Sequence, residues 1–207
     1  LRIQLQGLGL GVRDEEWNGR SGTPLERFEK LVVPLLRGRR WAVKEVLSDE
    51  HFAYQETFHP PRVIITVRNI VDVALSFFEK HRMQGNLERF SDEWVLDYCR
   101  RESDGILRFK GHLDNLQVPS LVVQYEELIR SSDCRRRAAD FVGWEGGGAV
   151  QANLEEFDRA FELRRHGIKF SGNARRKEHR ELGFKELANA ESLLNDCYPY
   201  QKAFNYC

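Results

Sequence analysis

Arg68 and Ser76 stand eight residues apart in a segment that runs from an apolar β-branched stretch, Val63-Ile-Ile-Thr-Val67, through a tight turn into a helical pattern. An arginine at the C-terminal end of a strand and a hydroxyl on the second turn of the next helix can face one anion, and a helix N-terminus favours negative charge there. The chemistry this suggests is phosphate binding. The alternative is an edge arginine in a surface ion pair and a serine on a solvated helix face. A second basic group lies in residues 164–180, with seven Lys/Arg, two His and one acid punctuated by glycine. Such a segment can wrap an anion with guanidinium forks and backbone N–H groups, or it can be a solvated loop. Lys44 and Glu45 form a third group on a short strand pattern. A lysine there would neutralise charge on a phosphate, and a glutamate would serve as general base; a surface ion pair is the plain alternative. Arg20-Ser-Gly-Thr23 has the letters of a phosphate loop but lacks the buried strand that should precede one, and a turn with a helix cap accounts for it equally.

These residues need elements to position them. Thr23 and Pro24 open a helical run with Leu25, Phe28, Leu31, Val32, Leu35 and Leu36 at helical spacing, ended by Gly38. Residues 41–46 read as a strand and residues 49–59 as a short amphipathic helix. The 63–67 strand, apolar throughout, suits a parallel strand covered on both faces. Helices are expected from Val71 to about Met83, over 91–116, 135–144 and 151–163, and over 184–197, followed by a tail containing Pro199. A strand ending at Tyr125 is expected from Leu121. Alternating strands and helices favour an α/β fold: a single domain over residues 1–207 with a central, mostly parallel sheet flanked by helices and ligands at the strands' C-terminal edge.

Composition narrows the function. The 207 residues carry 32 basic and 32 acidic side chains, which argues against a general nucleic-acid coat or a polybasic membrane binder. No apolar run reaches the roughly 20 residues that span a bilayer. The start of the chain shows no apolar h-region and no Met, so upstream sequence can be missing and location stays open. The four cysteines, Cys99, Cys134, Cys197 and Cys207, form no CxxC pair; Cys99 and Cys134 read as core thiols.

In order along the chain, these pieces resemble the sulfotransferases that use 3′-phosphoadenosine 5′-phosphosulfate (PAPS). Residues 63–78 are similar to that family's 3′-phosphate motif, an apolar strand followed by Arg-[Asn/Asp]-Pro-x-Asp-Val-x-x-Ser and aromatics, with Ile70 in the place of proline. Leu121-Val-Val-Gln-Tyr-Glu-Glu-Leu resembles the family's strand ending in Tyr-Glu-[Asp/Glu]-Leu. Arg165-His-Gly167 resembles its late Arg-Lys-Gly segment, with His166 for lysine. The resemblance, over roughly residues 41–175, implies a P-loop-like fold and sulfuryl transfer from PAPS to a hydroxyl or amine, leaving 3′,5′-ADP and requiring no metal. It implies Arg68, Ser76 and Arg165 at the 3′-phosphate, with Tyr125, His166 and Gly167 near the nucleotide. Lys44 would be the catalytic lysine, and Glu45 or His51 the base. The acceptor, a small molecule or a glycan, would be held by loops 12–24, 82–95 and 145–150, where Arg82 and Arg89 would suit an acidic carbohydrate. The family's 5′-phosphosulfate loop would be either Arg20-Ser-Gly-Thr23 or a segment upstream of Leu1, the second being the expectation here. Alternatives are a nucleotide-dependent kinase of related architecture and an inactive sulfotransferase-like binding domain.

Overall fold

A turn of only two residues, Arg68 and Asn69, joins strand β1 (Val63–Val67) to the helix that follows it in the computed structural model. The structure describes residues 22–36, 41–43, 48–83, 85, 87–143 and 184–206. The chain divides into two compact units, Leu1–His59 and Pro60–Cys207.

In the first unit, α1 (Pro24–Leu31) begins as its sequence predicts. Thr23 Oγ1 accepts the Glu26 N–H at 3.2 Å, and Glu26 Oε2 accepts the Thr23 N–H at 2.8 Å, a reciprocal capping box with Pro24 in the first turn. The helix tightens into a 3₁₀ turn at Val33–Leu36. Phe28, Val32 and Leu36, spaced four apart, are buried and pack with Leu31, Val33, Val43 and Phe58. Trp41 adds an edge-on contact to Phe58 at 5.4 Å. Residues 41–43 are irregular, not the strand expected over 41–46; the rest of that segment lies outside the described residues. Helix α2 (Ser48–Phe58) is present, but the residues it buries most fully, Ser48 and Gln55, are polar. Its apolar contacts are those of Phe58 with the Phe28 cluster and of Tyr54 with Phe58.

In the second unit β1 pairs in parallel with β2 (Ser120–Gln124), in register from Val63 opposite Ser120 to Val67 opposite Gln124. Between them run α3 (Ile70–Met83) and α4 (Asp92–Asn115), the long connection that a parallel pair requires. After β2 come α5 (Tyr125–Arg130), α6 (Ser132–Phe141), α7 (Phe184–Asp196) and α8 (Tyr198–Ala203). Among the described residues the molecule is thus mostly helical with a two-stranded parallel sheet, and no helix is long and apolar enough to cross a membrane. The expected helix over 151–163 lies outside the described residues.

The core of this unit gathers Ile65, Val67 and Val123 from the sheet, Ile70 and Ala74 from α3, Val95, Cys99, Phe109 and Leu113 from α4, and Leu193, Cys197, Tyr200 and Phe204 from the C-terminal helices. Burial of each Val, Leu, Ile or Phe is worth about 1.5–3 kcal/mol. One expectation fails here. Ile65 and Val67 are buried, whereas Ile64 and Thr66 are exposed, so among the described residues β1 is covered on one face and not on both. An all-apolar run records capacity for burial; the packing around it decides which face is used. Ser103, buried inside α4, spends its hydroxyl on the Cys99 carbonyl at 2.7 Å. Cys99, Cys134 and Cys197 are free, buried thiols. A cluster of rings, Phe77, His81, Phe90, Trp94 and Tyr98, ties the end of α3 to the start of α4.

Candidate anion site at the end of the first strand

Asn69 starts α3. Its Oδ1 accepts the Val71 N–H at 3.0 Å, and its carbonyl accepts the Val73 N–H at 3.0 Å. Ile70 follows at the first helical position, where a proline would be tolerated because that N–H needs no helical partner. Isoleucine instead contributes a side chain only 3% exposed. The turn therefore forms without a proline at this position.

Arg68 projects from this turn. Its guanidinium carbon lies 5.0 Å from the centroid of the Tyr125 ring, a cation–π approach. Its Nε is buried and has no hydrogen-bond partner among the described residues. A desolvated donor without an acceptor costs roughly 1–3 kcal/mol, and more where the group is charged. Ser76 lies on the same helix as Asp72, one turn further on, about 9 Å along the axis from Ile70. It is half-buried.

The main chain around Arg68 is gripped by groups the sequence did not single out. Tyr200 Oη accepts the Arg68 N–H at 3.1 Å and donates to the Arg68 carbonyl at 2.9 Å. Glu126 Oε1 accepts the Asn69 N–H at 3.3 Å. Tyr206 donates its hydroxyl hydrogen to Glu126 Oε2 at 2.7 Å, with the Val67 carbonyl 3.2 Å from the same hydroxyl. Burial pushes the Tyr200 hydroxyl up to about 12, so it remains a donor at neutral pH. Burial, the bond to Glu126 and that carboxylate's charge hold the Tyr206 hydroxyl higher still. The segment after residue 197, expected as a tail containing Pro199, forms α8.

Of the expected site residues, the structure brings Arg68 and Tyr125 into contact and sets Ser76 on α3. Tyr125 begins helix α5 rather than ending β2, a correction of one residue at the strand end. His51 is half-buried on α2, in the first unit. Lys44, Glu45, Arg165, His166 and Gly167 lie outside the described residues, as do Arg20 and Ser21. Gly22 and Thr23 are described, and they act as a helix cap. The Thr23 N–H, which a phosphate loop would aim at its ligand, is taken by the Glu26 carboxylate. Gly22 has φ +119°, and a Cβ there would lie 2.4 Å from Glu26 Oε2, so the glycine serves this cap. No family model matches the chain, nor does any curated protein or solved structure.

Proposed function

We propose that this chain is a sulfotransferase-like domain that binds PAPS and transfers its sulfuryl group to a hydroxyl or amine acceptor, with residues 1–207 as one domain around a central parallel sheet flanked by helices. The observation that carries the reading is Arg68, a guanidinium at the C-terminal end of a parallel strand with a buried Nε that no acceptor satisfies among the described residues. A terminal phosphate supplies the acceptor oxygens such a group requires. The half-buried Ser76 hydroxyl on the following helix adds a neutral donor.

In this mechanism the acceptor oxygen or nitrogen forms a bond to sulfur as the bond from sulfur to the 5′-phosphate oxygen breaks. Glu45, or His51, takes the acceptor proton. Lys44 stabilises charge on the departing phosphate, and 3′,5′-ADP leaves. Arg68, Ser76 and Arg165 hold the 3′-phosphate, and that remote binding energy positions the reacting sulfur. Calorimetric titration with 3′,5′-ADP tests the nucleotide site, and lack of binding by a full-length protein removes the reading. Retained turnover in Glu45→Gln would exclude Glu45 as the base.

A second reading is a domain that binds the nucleotide without transferring the sulfuryl group. The Thr23 cap bears on it only if Arg20-Ser-Gly-Thr23 is the 5′-phosphosulfate loop, because the Glu26 carboxylate takes the N–H that this loop would offer. Sulfuryl transfer from labelled PAPS to a panel of acceptors separates the two.

A further inference from the structure

We propose that Tyr200, Tyr206 and Glu126 are positioning residues for Arg68, and that the last turn of the chain is what fixes the strand end from which the guanidinium projects. The inference rests on the nucleotide-binding reading above and assigns to the C-terminal tail a role in that same site.

Four successive main-chain groups, the Val67 carbonyl, the Arg68 N–H and carbonyl and the Asn69 N–H, lie against tail hydroxyls or the Glu126 carboxylate. A two-residue turn between a strand and a helix leaves its arginine few ways to move once both peptide groups are held. The tail is built for this. Helix α8 ends in a Schellman motif, in which the Tyr206 N–H bonds to the Gln201 carbonyl at 2.8 Å and the Asn205 N–H to the Lys202 carbonyl at 3.4 Å. Asn205 takes the left-handed conformation this requires, at φ +59°. The reversal turns Tyr206 back toward β1. Gln124 Nε2 donates to the Phe204 carbonyl at 2.7 Å, which ties the end of β2 to the same cap. Tyr125 and Glu126, adjacent in sequence, thus divide the work: the ring faces the Arg68 guanidinium and the carboxylate holds the backbone beside it.

The test compares full-length wild type, Tyr200→Phe, Tyr206→Phe and Arg68→Ala, alone and combined. Phenylalanine keeps the ring of residue 200, which meets Phe204 edge-on at 4.9 Å, so the variants are expected to fold. Each Tyr→Phe change should weaken 3′,5′-ADP binding about tenfold and raise KM for PAPS, whereas loss of folded protein would lower apparent kcat and leave KM unchanged. Either change added to Arg68→Ala should have little further effect. Wild-type affinity in both Tyr→Phe variants overturns the proposal. If wild type itself does not bind 3′,5′-ADP, the nucleotide reading falls, and the positioning claim is decided by hydrogen exchange at the Arg68 and Asn69 amides. Exchange at least tenfold faster in Tyr200→Phe at Arg68, and in Tyr206→Phe at Asn69, sustains it, and unchanged exchange refutes it.

Discussion

Arg68 and Arg100 belong to the same unit and spend their guanidinium groups in opposite ways. Arg100, on α4, donates Nε and Nη2 to Asp196 Oδ2 at 3.0 and 2.6 Å, Nη1 to Asp97 at 2.7 Å and Nη2 to the Ser192 hydroxyl at 3.4 Å. It fastens α4 to α7 and is satisfied by the protein itself. Arg68 has an aromatic face beside it, a buried Nε without a partner among the described residues, and a backbone held on both sides. Saturation by carboxylates marks an arginine that holds helices together; a rigidly mounted arginine with an unmet donor is what the proposed phosphate would require. The surroundings differ in the same sense. Exposed carboxylates answer Arg100, whereas the buried, neutral Tyr200 hydroxyl holds the backbone of Arg68.

Mutation can break this contrast. The largest effect expected on nucleotide affinity is from Arg68→Ala, which should weaken 3′,5′-ADP binding by about 1.5–3 kcal/mol, read by calorimetry. Alkaline titration acts on stability instead. The Tyr200 hydroxyl and the Cys99 thiol are each pushed up to about 12, in both cases chiefly by burial. Groups raised in the folded state contribute their full stability below the unfolded values, 10.0 and 9.0, and lose it as pH rises toward about 12. Each costs up to about 1.4 kcal/mol per pH unit in that window. Denaturant melts from pH 8 to 12 should show the decline, and Tyr200→Phe should flatten it. Ser76→Ala should weaken 3′,5′-ADP by about 1 kcal/mol, less than Arg68→Ala because a neutral donor is lost. Arg100→Ala should leave nucleotide affinity unchanged and lower stability by about 0.2–1 kcal/mol, measured as a denaturation midpoint. The smallest effect belongs to acid. The hydrogen bond from Arg100, then that from Ser192, holds the Asp196 carboxyl below its usual range. Its contribution is present above the unfolded value and fades as pH falls through the folded one, so Asp196→Asn should remove a small part of the acid dependence of the melts.

Sequence and structure agree best where local chemistry decides the outcome. The 63–67 strand, the helix after it and the Thr23 cap follow from β-branching, an Asn at the turn and a Thr-x-x-Glu box. The position of Arg68 was legible for the same reason, since a strand end and a helix start fix it between two residues. Its supports were not. Tyr200 and Tyr206 lie more than 130 residues away along the chain, and nothing local in Cys-Tyr-Pro-Tyr-Gln marks a helix that reaches back to β1. The exposed face of β1 and the polar buried face of α2 were misjudged for a related reason. An apolar run or an amphipathic spacing shows which faces can be buried, and long-range packing selects among them.

The central claim is that Arg68 is the receptor for a terminal phosphate. It is tested most directly by titrating 3′,5′-ADP and 5′-AMP into wild type and Arg68→Ala by calorimetry. Wild type should prefer 3′,5′-ADP by at least tenfold, and Arg68→Ala should lose most of that preference while keeping its affinity for 5′-AMP. Equal binding of the two nucleotides by wild type, or a preference undiminished in Arg68→Ala, would contradict the assignment.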